Sequence, residues 1–234
     1  MPRLTRITRL AFFSVALCAG LSAQVDRWDA SFKFYGGGTI GGAKDLFNTT
    51  GNFGGGAEGT YKLDGSGSLV FDLGYRFFPG TNSIQSYITL PALTATSPAG
   101  MLYSGETRDR KTDGSGWQAS ALYRRNAFTG GMYWQAGLRI GFNKTKQTDT
   151  GAASSYITTK TPATAPAVWT VTATSAINSV EENKTTSIGL LGGIGYRFND
   201  QYSGELNVFQ TKFEAAAAGK QNGAVVELAF GVRF

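Results

Sequence analysis

Residues 225–234 read VVELAFGVRF. Counting back from Phe234, the residues Val232, Phe230, Leu228 and Val226 are all apolar. Arg233, Gly231, Ala229, Glu227 and Val225 stand between them. Side chains on a strand alternate between its two faces, so this spacing predicts a strand with one greasy face and one mostly small or polar face.

The same period of two recurs upstream. It is cleanest over 132–143, where Met132, Trp134, Ala136, Leu138, Ile140 and Phe142 oppose Tyr133, Gln135, Gly137, Arg139, Gly141 and Asn143. Weaker versions run over 28–36, 52–63, 67–78, 116–125, 185–198 and 202–212. With the 225–234 stretch this predicts about eight strands of about ten residues, the length a tilted membrane-crossing strand requires. Short turn signals follow every second strand: Asp64-Gly65-Ser66, 126–131 and Asn199-Asp200-Gln201. Longer connections, read as loops, take up 36–50, 79–115, 144–184 and 213–221. The expected fold is all-β: an antiparallel up-and-down transmembrane β-barrel of about eight strands. A ten-strand alternative counts 82–90 and 101–111 as further crossings, because a repeated DGSG (64–67 and 113–116) suggests that the strands after each copy share one direction. The simpler reading leaves those stretches inside an outer loop.

Aromatic residues give a second check. Trp28, Tyr61, Tyr123, Trp134, Tyr196, Phe198, Tyr202 and Phe234 fall at or near the short-turn ends of the predicted strands. Phe53, Phe77, Trp117 and Phe142 fall near the opposite ends. Two aromatic girdles at lipid interfaces produce that layout. A soluble barrel with its apolar face turned inward is the competing arrangement.

The beginning of the chain fits export. Arg3, Arg6 and Arg9 precede an apolar run from Leu10 to Leu21, and Leu21-Ser22-Ala23 is a small-residue cleavage site. We expect 1–23 to be a signal peptide and 24–234 the barrel domain. Three of the 22 basic residues fall in the leader, leaving 19 against 16 acids, a balance of +3. These charges are scattered singly, which argues against nucleic acid. Cys18, the one cysteine, also lies in the leader, so the mature chain has neither disulfide nor thiolate metal site. Leu17 before it is wrong for a lipoprotein. Gly-x-Gly-x-x-Gly occurs at Gly36-Gly38-Gly41 and Gly54-Gly56-Gly59, but neither copy sits in a strand–turn–helix unit, so no dinucleotide or other cofactor is expected.

The face opposite the apolar one carries Lys33, Glu58, Lys62, Asp72, Arg76, Arg124, Arg139, Arg197, Glu205 and Glu227, with Asp29 and Arg233 near the ends. An eight-stranded barrel has an interior that side chains just fill, and charges buried there must pair. We expect the acids to pair with the bases and plug the lumen. The connections at 79–115 and 144–184 are the candidate interaction surface, with Val168, Trp169 and Val171 in the second.

The outward-alternating Val226, Leu228, Phe230, Val232 and Phe234 resemble the closing strand of small bacterial outer-membrane barrels, the family that includes the OmpA transmembrane domain, OmpX and the opacity-like proteins. The resemblance covers essentially all of 24–234. It implies a monomeric, non-enzymatic protein of the Gram-negative outer membrane. Its partners would be membrane lipid and lipopolysaccharide, with the barrel assembly machinery reading the last strand. Enzymes built on such barrels use a histidine as acid, base or relay, and this chain has none. Two functional expectations remain. One is a closed scaffold displaying outer loops for envelope integrity, adhesion or surface interaction. The other is a narrow pore for small or apolar solutes, as in the OmpW type.

Overall fold

The computed structural model describes residues 27–48, 51–63, 65–86, 88, 90–127, 130–160 and 165–234. The expected signal peptide at 1–23 lies outside the described residues. The strands are β1 (Trp28–Gly41), β2 (Gly51–Lys62), β3 (Gly67–Phe78), β4 (Ser83–Ser86), β5 (Leu102–Asn126), β6 (Met132–Thr159), β7 (Val168–Arg197), β8 (Tyr202–Ala215) and β9 (Gly219–Arg233). One short helix, α1 (Gly42–Phe47), follows β1. Every pairing is antiparallel, in the order β3-β2-β1-β9-β8-β7-β6-β5, and β3 pairs with β5 to close a ring of eight strands. The eight expected crossings each coincide with a ring strand.

The ten-strand alternative is corrected. β4 pairs only with Thr107–Arg110 of β5 and stays out of the ring, and 102–111 is the beginning of β5 rather than a crossing. Three stretches read as loops also contain strand. β1 runs on through its glycines to Gly41 before α1, and β8 and β9 extend until only 216–218 separates them. The largest difference is at 144–184, where β6 and β7 continue as a hydrogen-bonded hairpin beyond the rim. From Lys144 to Thr159 this projects about 50 Å at roughly 3.4 Å per residue. The first part of β5 pairs along it, and β4 adds to β5, so a sheet stands on one side of the mouth.

The wall is inverted relative to a soluble protein. Phe34, Phe53, Phe71, Leu73, Leu138, Ile140, Phe142, Ile188, Leu190, Leu206, Leu228 and Phe230 all point outward and are exposed. Leaving such a side chain in water forgoes about 1.5–3 kcal/mol. Summed over the belt, the loss exceeds the whole stability of a typical domain, about 5–15 kcal/mol. The belt therefore needs lipid around it, and the barrel is of the transmembrane kind. Aromatics pair at its edges: Trp28 with Tyr61 at 5.1 Å and Tyr123 with Trp134 at 5.7 Å at the short-turn end, and Phe53 with Phe77 at 5.4 Å at the other.

Candidate functional site

Alternation aims the charged residues inward, and the register decides which of them meet. Nearest the short turns, Lys33 of β1, Glu58 of β2, Arg124 of β5 and Glu205 of β8 form one buried cluster. The Arg124 guanidinium donates to both Glu58 oxygens, at 2.9 and 2.7 Å, and to Glu205 Oε1 at 2.9 Å. Lys33 Nζ donates to Glu205 Oε2 at 2.6 Å and also contacts Glu58. Neutral groups take the remaining valences. Tyr133 Oη donates to Glu205 at 2.8 Å, Gln135 Nε2 to Asn207 Oδ1 at 2.8 Å, and Arg124 Nε to Gln135 Oε1 at 3.0 Å. Two acids face two bases, so the cluster is neutral.

A second level lies deeper along the lumen. Arg76 of β3 donates to Glu227 of β9 through Nε at 2.5 Å and Nη2 at 2.9 Å. Its guanidinium lies 3.9 Å above the Tyr35 ring, and Tyr35 Oη donates to Asp72 Oδ2 at 2.5 Å. Arg139 stacks 3.8 Å over Phe209, donates to Ser120 Oγ at 2.9 Å and stands 3.9 Å from Asp72. This level is neutral too, but it is less tightly satisfied: Asp72 Oδ1, Arg76 Nη1 and Arg139 Nη1 make no hydrogen bond to protein.

An apolar layer closes the far end. Phe47 from α1 packs against Phe78 at 5.6 Å and Phe213 at 4.9 Å, and Phe78 meets Phe213 at 4.9 Å. Glycine makes the room: a Cβ on Gly114 would come within 2.6 Å of the Phe47 ring. Lower down, a Cβ on Gly195 would stand 2.3 Å from Tyr133.

Two expected members of the charge network sit elsewhere. Lys62 is exposed at the rim and pairs with Asp29 at 3.1 Å, a residue that Arg233 also contacts. Arg197 is half-buried near the rim, 5.6 Å over the Tyr133 ring. Tyr35, Tyr133, Gln135 and Asn207 fall on the inward face by the same alternation as the charges they bond, whereas Phe47, on the short helix, carries no such signal.

Above the rim, three inward residues of β6 act on the edge of β8, where β7 has left it. Asn143 Nδ2 donates to the Lys212 carbonyl at 2.7 Å, Thr145 Oγ1 donates to the Glu214 carbonyl, and Gln147 Oε1 accepts from the Ala217 amide at 3.4 Å. These side chains replace the missing ladder. In the projecting sheet, Arg110 grips Asp149 through Nε at 2.8 Å and Nη2 at 2.7 Å, which holds the Asp149 carboxyl below the usual carboxylate range, and Arg108 adds to the effect. Trp169 Nε1 donates to the Pro91 carbonyl at 3.0 Å and ties the 90–101 segment to the sheet. Among the described residues, no strand pairs with the other edge of β7 between Val168 and Leu190. Nor does any group of three or more acidic, cysteine or histidine side chains there gather as metal ligands.

A ring of eight antiparallel strands with an apolar outside and a charged, filled inside places this chain among the transmembrane β-barrels. Solved structures similar to it are small outer-membrane barrels. The attachment invasion locus protein Ail of Yersinia pestis is 9% identical with a TM-score of 0.47, over 89% of this chain and 98% of that one. Neisserial surface protein A is 10% identical with a TM-score of 0.45, over 88% and 97%. The N-terminal β-barrel domain of Pseudomonas aeruginosa OprF is 14% identical with a TM-score of 0.32, over 87% and 97%. Likeness at this level concerns the fold alone. No protein-family model and no curated protein matches the sequence.

Proposed function

We propose that the protein is a closed, non-enzymatic scaffold of the bacterial outer membrane that holds its projecting sheet outside the cell for contact with other surfaces. The observation that carries this reading is the filled lumen, with two neutral ion-pair levels and an aromatic layer in series along one axis. Outer-membrane location is supported by the lipid-facing belt and by the contrast between short turns at one end and long strand extensions at the other. The short-turn end then faces the periplasm. β9, with Val226, Leu228, Phe230 and Val232 outward, pairs with β1 and β8 at the closure, where assembly machinery would read it. Outside, the sheet offers an unpaired β7 edge and exposed Ile84, Leu102, Val168 and Val171.

Conductance of refolded protein in a planar bilayer tests the reading. Inserted protein should give no steady channels. Steady channels of a single size would overturn the closed scaffold in favour of a narrow pore.

A further inference from the structure

The short-turn mouth of the barrel holds a small pocket that the scaffold role does not use. Six charged side chains line it: Arg124, Arg197 and Arg233, and Asp29, Glu58 and Asp200. Four of them are already committed. Glu58 serves Arg124 and Lys33 in the neutral cluster on the floor, and Asp29 serves Arg233 and Lys62 at the rim. Arg27 and Arg125 stand exposed at the same end without lining the pocket, and Asp26 and Asp64 lie outside the described residues.

Arg197 and Asp200 are left. Asp200 is exposed on the turn after β7, where water solvates it. Arg197 is half-buried beneath that lip, and among the described residues no carboxylate lies within ion-pairing distance of it. Its guanidinium stands 5.6 Å from the Tyr133 ring, the same ring that Arg124 covers at 4.6 Å, so one phenol carries two cations. A cation drawn partly out of water without a counter-charge is costly. The backbone beneath it is fixed. The Arg197 amide donates to the Gly131 carbonyl at 2.9 Å, and Asn199 Oδ1 caps the turn by accepting from the Gln201 and Tyr202 amides at 2.9 and 2.8 Å. Room is limited to about 30 Å³ for water-sized groups. One water needs about 10–15 Å³ by that measure, so two oxygen atoms fit and a whole solute does not.

We propose that the pocket is a socket for the carboxylate at the end of a peptide chain, reached from the short-turn side. The planar fork of a guanidinium matches the two oxygens of a carboxylate, and one uncommitted cation matches one negative charge. A phosphate dianion fits less well, because it brings a third oxygen and a second charge beside Asp29 and Asp200. Ser31 and Ser203, on the two strands that flank β9, add hydroxyls to the wall. The turn at 199–201 and Tyr202 form the lip and give a chain further contact that a small free acid lacks. That this chain lies in the periplasm rests on the outer-membrane reading above.

Calorimetric titration of the full-length refolded protein in detergent micelles tests the socket, with N-acetyl-trialanine and its C-terminal amide as probes. The free acid should bind wild-type protein at one site, and the amide at least tenfold more weakly. R197Q should lose at least tenfold in affinity for the acid, R197K should keep part of it, and D200N should bind as well as wild type. Equal binding of acid and amide would overturn the proposal, as would unchanged binding by R197Q. Full competition by equimolar acetate or inorganic phosphate would also sink it, reducing the pocket to a site for any small anion. A loss in D200N as large as that in R197Q would replace the socket with an Arg197–Asp200 pair that braces the turn. If R197Q does not refold, the comparison of acid with amide on wild type decides alone. Protein that never enters a bilayer overturns the outer-membrane reading; inserted protein that does not distinguish acid from amide overturns the socket alone.

Discussion

Arg76 and Glu227 meet across the barrel interior through two parallel hydrogen bonds, 2.5 and 2.9 Å, and both side chains are completely buried. Their strands are not neighbours in the ring, since β2 and β1 stand between β3 and β9. The pair therefore works as a cross-brace. Removing one partner leaves an uncompensated buried charge, at about 3–5 kcal/mol. Replacing both with residues of similar volume costs far less. We expect Glu227→Met and Arg76→Met each to lower unfolding free energy by about 3 kcal/mol in urea titrations of vesicle-inserted protein. The double variant should recover more than half of the summed loss. Additive losses would show that the two side chains act independently.

Phe47 is the outermost of three interlocked rings, delivered from α1 rather than from the wall. Truncating a buried Phe to Ala costs about 3–5 kcal/mol. Phe47→Ala should fall near the lower figure, because it sits at the mouth where neighbours can close in. Bilayer recordings of this variant should stay silent, since both ion-pair levels lie beneath it. Channels appearing in Phe47→Ala alone would make the ring, and not the charges, the seal.

Gln147 accepts the Ala217 amide, and Asn143 satisfies the Lys212 carbonyl. The Ala217 amide sits in an exposed turn, so losing this bond costs little stability but opens the amide to water. Gln147→Ala should speed amide hydrogen exchange at Ala217 by about tenfold or more while leaving exchange in β1 and β2 unchanged. Equal protection in wild type and variant would mean that the turn at 216–218 needs no help from β6.

Asp149 gives the projecting sheet a pH dependence of definite sign. Its carboxyl is held low by hydrogen bonds from Arg110 and then Arg108. A carboxylate with a lowered folded-state pKa contributes stability that is fully present above its unfolded value of about 3.9 and is lost as pH falls through the folded value. Limited proteolysis between pH 8 and pH 5 should therefore leave the sheet intact, with cutting at 102–113 and 144–159 rising only below about pH 4. Asp149→Asn should cut readily at every pH in the series.

How much of this was legible in the sequence depended on what each face of a strand touches. Met132–Phe142 and Val226–Phe234 announce themselves because one face meets lipid and the other a polar interior, so the period of two is stark. Lys144–Thr159 and Val168–Lys184 are equally regular strands, yet both faces are rich in Thr, Ser and other polar residues, buried or not, so no apolar alternation marks them. Phe47 left no trace, because the glycines of 36–42 carry no period and the helix has only six residues. Lys62 illustrates a different limit. Alternation tells which way a side chain points but not its height along the axis, and an inward residue at the end of a strand finds the rim instead of the lumen.

The continuous β5–β6–β7 ladder also has a mechanical meaning. A load applied at the tip near Thr159 runs parallel to the strands, so it strains the hydrogen bonds of Tyr103–Asn126 against β6 and of Met132–Thr159 against β7 together, in shear. Rows loaded in that direction share the force, whereas the brief β7–β8 seam from Leu191 to Arg197 would carry little of it before parting. The molecule is thus built as a stiff mast stepped into the membrane on one side of a braced ring, able to pass tension from its tip to its lipid anchor without first unravelling.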